Sequence, residues 1–282
     1  MKWTILGSGG CMGIPKPLCD CMVCVEAREK GIPYARSGPA AFLHDINLLI
    51  DTPAEISIQL NRADINRLNY LLFTHLDPDH TEGFRVVEQI AMDFRSWEAY
   101  PEKQICLLLP QQLLGPLRSI HSQYGPLIDF YKNSGFIRIQ TFEKSIEIDG
   151  TNITAIPVDR GSQVSFSYIF DQCGTKVIYA PCDIKPFPKN RDEVQGADLL
   201  FIQPGIFEDG LKHDFVYPPD HISRTTLYTF DQTVELAKRI GAKQTVFIHL
   251  EEYWNRSYDD YQALESNSSA IQFAYDGMRI NI

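Results

Sequence analysis

Thr74-His75-Leu76-Asp77-Pro78-Asp79-His80 follows directly on the apolar run Leu68-Asn69-Tyr70-Leu71-Leu72-Phe73. Two His and two Asp within six residues, delivered by the end of a buried strand, put several ligating side chains on one loop at a sheet edge. Imidazole and carboxylate are the groups that hold zinc, iron or manganese. An ordinary polar turn is the competing reading, since Asp-Pro-Asp is common turn chemistry. Three later positions weigh against it. Arg160 follows the strand-like run 152–158, Asp183 the run 177–180 and His249 the run 244–248. A lone His after a strand is weak evidence. Several strands that each end on a polar residue suggest one sheet edge collecting one site.

The chain has 282 residues, 44% hydrophobic and 22% charged, an ordinary globular composition. One two-layer α/β unit over 1–282 is expected, with a core large enough to need no disulfides. The net charge is −10 and no Lys/Arg-rich block occurs. Bulk attraction to nucleic acid or anionic lipid is thereby excluded, though a local basic pocket is not. No run of about 18 apolar residues marks a membrane span. Residues 1–7 are too short and polar for a signal peptide, so a cytoplasmic location is expected. Seven Cys there do not suggest disulfides.

Patterning predicts strands over 2–6, 41–43, 47–51, 68–73, 105–110, 136–139, 146–148, 152–158, 164–170, 176–180, 199–202 and 244–248. Helices are predicted over 55–61, 81–99, 111–122 and 230–240, the last closed by Gly241. Residues 207–229, rich in Pro, Asp and His, read as a long loop. The order predicts a sheet sandwich covered by helices.

A second constellation is Cys19-Asp20-Cys21-Met22-Val23-Cys24. Its spacing points to a thiolate-bound structural zinc around 11–38, needing a fourth ligand from elsewhere. His213, His221 and Cys11 are available. Cys106, Cys173 and Cys182 read as structural, since Cys in apolar strands behaves as a small hydrophobe. Contact between Cys182 and a metal is the less favoured reading.

Taken together, these residues make the chain resemble the metallo-β-lactamase superfamily. That family's signature is His-x-His-x-Asp-His, then a His, an Asp and a final His, each after its own strand. Within it the chain is similar to the subgroup of the cyclic-phosphate phosphodiesterase (PhnP-like) and the pyrroloquinoline-quinone biosynthesis B protein. The likeness spans 6–10, the Cys cluster, 49–53, the opening motif, 245–249 and 275–278. It implies an αββα sandwich of the α/β (α+β) class. It assigns Asp79, His80, Asp183 and His249 to a second metal site, with Asp183 bridging, and His75 to a first site.

Two departures matter. Asp77 stands where the family has His, and Arg160 where it has another. A guanidinium cannot ligate a metal. One well-held ion and a weak or absent second are therefore expected, as zinc, manganese or iron, with the Asp77 carboxylate favouring the latter two. Arg160 is read either as holding a substrate phosphate or carboxylate, or as pairing with Asp77 or Asp159. The resemblance puts Glu252 at the fourth position of the Cys site. It puts Leu227 where relatives have a substrate-facing His; His221 either substitutes or is a solvated loop residue.

The expected activity is metal-dependent hydrolysis of small, cyclic phosphodiesters. Asp79 or Asp77 would orient or deprotonate the water, Arg160 would steady the anionic transition state, and His221 would protonate the leaving oxygen. The alternatives are an oxygenase or biosynthetic protein like the B protein, and a non-catalytic binder. The expected partner is a small anionic substrate, with a homodimer allowed and neither nucleic acid nor membrane engaged.

Overall fold

The computed structural model describes residues 1–159, 164–266 and 270–282. Two seven-stranded sheets face each other. The first runs, edge to edge, Ile137–Phe142, Ile105–Pro110, Tyr70–Leu72, Leu48–Ile50, Ala40–Leu43, Lys2–Gly7 and Met278–Asn281. The second runs Ser145–Ile148, Thr151–Asp159, Val164–Gln172, Thr175–Ala180, Leu199–Ile202, Gln244–Phe247 and Ile271–Phe273. Both are mixed. Strands 48–50, 70–72, 105–110 and 137–142 are parallel, as are 175–180, 199–202, 244–247 and 271–273.

Alternation along the second sheet explains the sandwich. Leu199 and Phe201 face the core between the sheets, whereas Leu200 and Ile202 face an outer layer with Leu236 and Tyr261. Strands buried on both faces read as continuous apolar runs, as these do. Trp3 closes the inner core, its ring 5.0 Å from Phe170 and 5.4 Å from Phe201 across the gap. Helices cover both outer faces: Ile56–Arg62, Val86–Ala91, Gln111–Leu117 and Leu127–Asn133 pack on the first sheet, Phe230–Arg239 and Tyr258–Glu265 on the second. Helix Phe230–Arg239 starts on a capping box, in which the Thr229 hydroxyl accepts from Gln232 N and the Gln232 side chain accepts from Thr229 N.

The α/β sandwich and most strands agree with expectation. The helix expected over 81–99 is broken. It begins as Pro78–Thr81, tightens to a 3₁₀ turn at Glu82–Arg85, and resumes only for Val86–Ala91. Gly83 lies in this turn, where a Cβ would stand 2.1 Å from the Pro53 carbonyl oxygen. After Ala91 the chain turns into a hairpin, Met92–Asp93 against Glu98–Ala99. Asp93 Oδ1 accepts from Arg95 N at 3.0 Å, a local bond that competes with helix. The helix expected over 111–122 stops at Leu117, and His121–Ser122 pairs with Gly125–Pro126. The Cys-bearing segment contains a helix, Met22–Lys30, that the pattern did not show. No helix among the described residues is long and apolar enough to cross a membrane.

Asp276 ties the outer edge together. Its buried carboxylate accepts from the backbone N and hydroxyl of both Ser8 and Ser37, and pairs with Arg62 at 2.9 Å. Removing it strands donors that have lost water, at a cost of about 3 kcal/mol. Asp276→Ala should lower Tm by roughly 6–12 °C, read by thermal circular dichroism; a shift under about 2 °C would discount this network.

Candidate metal centre

The parallel strands of both sheets end at the same rim, and their next residues build a cluster. Asp51 follows Leu48–Ile50, His75 follows Tyr70–Leu72, Cys182 and Asp183 follow Thr175–Ala180, Gln203 follows Leu199–Ile202, and His249 follows Gln244–Phe247. Hydrogen bonds lock the two sheets there. Phe166 N donates to Thr74 O at 2.8 Å and the Tyr168 hydroxyl to Phe73 O at 2.7 Å. Asp51, Asp183 and His249 have left-handed backbones, with φ of 63°, 51° and 59°. Such conformations are costly for residues other than Gly and concentrate at functional sites.

Asp79, His80 and His249 converge. His80 Nε2 and His249 Nε2 are 3.3 Å apart, and Asp79 Oδ2 is 3.3 Å from each. Two ligands at about 2.0–2.1 Å on one tetrahedral ion stand about 3.3–3.4 Å apart, so the spacing fits a single shared metal. The tautomers fit too. His80 Nδ1 donates to Asp51 Oδ2 at 2.8 Å, and His249 Nδ1 meets Glu251 Oε1 at 3.1 Å. Those acceptors keep the protons outside and turn both Nε2 lone pairs inward, as a metal requires. Asp51 in turn accepts from Thr74 N at 2.8 Å and Thr74 Oγ1 at 2.7 Å.

The electrostatics agree. Burial disfavours a charged imidazole, yet the Asp51 carboxylate and the Cys182 sulfur hold His80 well above its ordinary pKa. His249 is held up in the same way, against burial, by Cys182 and Asp79. Burial and His80 depress His75, but Cys182 and Asp77 outweigh them and raise it to about 9. Burial opposes ionisation of Asp79, and the two imidazoles beside it still hold its carboxyl far below the usual carboxylate range. The cluster favours positive charge at its centre.

His75, Asp77 and Asp183 form a second group of donors, with His75 Nε2 3.6 Å from Asp77 Oδ2. Asp183 falls in this group, beside the first-site residues; the resemblance has it bridge the two sites. Cys182 is the residue that sequence reasoning undervalued: its Sγ lies 3.6 Å from both His75 Nε2 and His80 Nε2. Asp51, Gln203 and Glu251 were also missed as site residues. Asp51 and Gln203 carried the same signal as His249, a polar residue at the end of an apolar strand. Arg160 lies outside the described residues.

Cys19, Cys21, Cys24 and Glu252 form a separate group. Glu252 Oε1 is 3.5, 3.7 and 3.4 Å from the three sulfurs. A sulfur at about 2.3 Å and an oxygen at about 2.0 Å on one tetrahedral zinc stand about 3.5 Å apart. The donors thus fit zinc with Glu252 as fourth partner. His213 and His221 belong to none of these groups. They line a neighbouring cavity of about 580 Å³ with Lys16, Tyr217 and Tyr253. Cys11 instead meets Glu251 Oε2 at 3.3 Å. Lys212 Nζ lies 3.0 Å from Cys19 Sγ and also contacts Glu252 Oε1.

Two helix-covered mixed sheets, with a His/Asp cluster where their parallel strands end, define a metallo-β-lactamase fold. The model of the beta-lactamase superfamily domain matches residues 46–250, and the chain belongs to that superfamily. Among solved structures it is similar to a diphosphatase from the PhnP family, at 23% identity and a TM-score of 0.73 over 100% of this chain and 97% of that one. Zn²⁺-bound PqqB from Methylobacterium extorquens matches at 17% identity and a TM-score of 0.76, over 100% of both chains. Human tRNase Z, short form, matches at 17% and 0.63, over 100% and 99%. No curated protein sequence matches the chain. At these identities the likeness to solved structures carries the fold.

Elemental analysis should find two separable metals: Asp79→Ala loses one and keeps the Cys-bound ion, and Cys21→Ala does the reverse. Unchanged metal content in Asp79→Ala would discard the main-site assignment. Asp51→Asn, which weakens the hold on His80 without removing a ligand, should lower main-site affinity by about 10–100-fold in chelator competition.

Proposed function

We propose that the protein is a metal-dependent hydrolase of small, anionic phosphodiesters, including cyclic ones. The observation that carries the reading is the Asp79–His80–His249 triangle, whose 3.3 Å edges match the ligand spacing of one shared ion. A metal bound there supplies a water acidified to a pKa of about 7 and a Lewis acid for the phosphoryl oxygen.

The protein's own groups divide the remaining work. Asp79 is the more enclosed carboxylate and is the ligand. Asp77 is 37% exposed in its side chain and stands at the open side, next to His75, so it takes the proton from the attacking water. Arg160 steadies the developing anion through its bidentate fork. His221, on the adjoining cavity, protonates the leaving oxygen. The net charge of −10 argues against a long polyanionic substrate.

A panel of cyclic and linear phosphodiesters should show turnover that chelation abolishes and zinc or manganese restores. Asp77→Asn should cut kcat by about 10²–10⁴-fold with KM little changed. Absence of turnover on the whole panel with metal fully loaded would remove this reading.

A second reading is a metal-dependent oxygenase or biosynthetic protein. The His75–Asp77–Asp183 group favours it, being two carboxylates to one imidazole and therefore harder than the family's all-His site. Iron retained through purification, with oxygen consumption, would select it over hydrolysis.

A further inference from the structure

Cys182 is placed unlike the protein's other cysteines outside the Cys19–Cys24 segment. Cys106 faces Gln140 at 3.6 Å on the first sheet, and Cys173 is exposed. Cys182 is buried, with its Sγ 3.6 Å from His75 Nε2 and 3.6 Å from His80 Nε2. These are the ring nitrogens that face the centre, since Thr74 and Asp51 occupy the opposite nitrogens. A thiolate at about 2.3 Å and an imidazole at about 2.0–2.1 Å on one tetrahedral ion stand about 3.5–3.6 Å apart. Both 3.6 Å distances match that spacing.

The grouping of donors locates the sulfur further. His80 belongs to the Asp79–His80–His249 group and His75 to the His75–Asp77–Asp183 group, while Cys182 groups with both His75 and His80. The sulfur therefore lies where the two groups meet.

We propose that Cys182 is a thiolate ligand of the main metal centre, alongside the imidazoles its sulfur faces. Metal binding displaces the thiol proton to solvent and forms a sulfur–metal bond. A soft ligand there makes the centre select thiophilic ions such as zinc, cadmium or ferrous iron over magnesium. It also makes the centre vulnerable to thiol oxidation, which the carboxylate arrangement is not. The inference concerns metal ligation alone and stands whether or not phosphodiester turnover is found.

Cadmium-113 NMR of the fully loaded protein tests it, because each thiolate moves the metal resonance downfield. The wild type should show a three-thiolate resonance from Cys19, Cys21 and Cys24, and a main-centre resonance displaced downfield by one sulfur. In Cys182→Ser the second resonance should move upfield into the nitrogen/oxygen range while the first stays, which also certifies the fold. A wild-type main-centre resonance already in the nitrogen/oxygen range, or one that Cys182→Ser leaves in place, would overturn the proposal and reduce Cys182 to a hydrogen-bonding neighbour of the imidazoles. The wild-type position decides alone should the variant not fold.

Discussion

The Asp51 carboxylate is the interaction on which the site depends. It is fully buried, and burying an ionised carboxylate costs several kcal/mol unless partners compensate. Its partners are the Thr74 backbone N, the Thr74 hydroxyl and His80 Nδ1. These three bonds join the end of strand Leu48–Ile50 to the loop after Tyr70–Leu72, and fix which way His80 faces. The charge is most fully compensated when His80 carries positive charge or bonds a cation. A metal in the cluster and a stable rim are thus linked through one carboxylate.

The second constraint is that donors come from both sheets. His75, Asp77, Asp79 and His80 ride on the first, Cys182, Asp183 and His249 on the second. Their relative placement is only as good as the join between the layers. Phe166 N to Thr74 O and the Tyr168 hydroxyl to Phe73 O supply that join beside the metal ligands. The apolar interior, with Trp3 against Phe170 and Phe201, holds the sheets together. The parallel arrangement matters as well. Parallel neighbours end at the same rim, so Asp51 and His75 emerge together from one sheet, and Asp183, Gln203 and His249 from the other.

Much of this was legible in the sequence because the information is local. An apolar run followed by a polar residue marks a strand end, and repetition of that pattern marks a rim. What was not legible depends on backbone conformation or on tertiary contact. Asp183 and Cys182 are adjacent, and nothing in the sequence says which one turns toward His80. In the fold Cys182 Sγ comes within 3.6 Å of His80 Nε2, while Asp183 groups with His75 and Asp77. The helix read over 81–99 failed because its periodicity ignored Gly83, which is pressed against Pro53, and Asp93, which bonds its own turn. The short helices Leu127–Asn133 and Tyr258–Glu265 went unread, since stretches of seven and eight residues carry little periodic signal.

The turn His249-Leu250-Glu251-Glu252 couples the two metal groups. His249 faces the main centre, Glu251 meets His249 Nδ1 and accepts from Cys11, and Glu252 completes the Cys group. Leu250 is pinned by the Gly-rich turn, donating to Ser8 O at 2.8 Å and accepting from Gly10 N at 3.0 Å. A Cβ at Gly10 would lie 2.3 Å from the Glu251 carboxyl carbon, so a larger residue would push that carboxylate out of place. A zinc held by three thiolates and Glu252 carries a net charge of −2, a charge set that needs a nearby cation. Lys212, reaching in from the 207–229 loop, supplies it while contacting Cys19 and Glu252. The Cys module therefore anchors the turn that aims His249, and through Lys212 it also tethers the loop that carries His213 and His221.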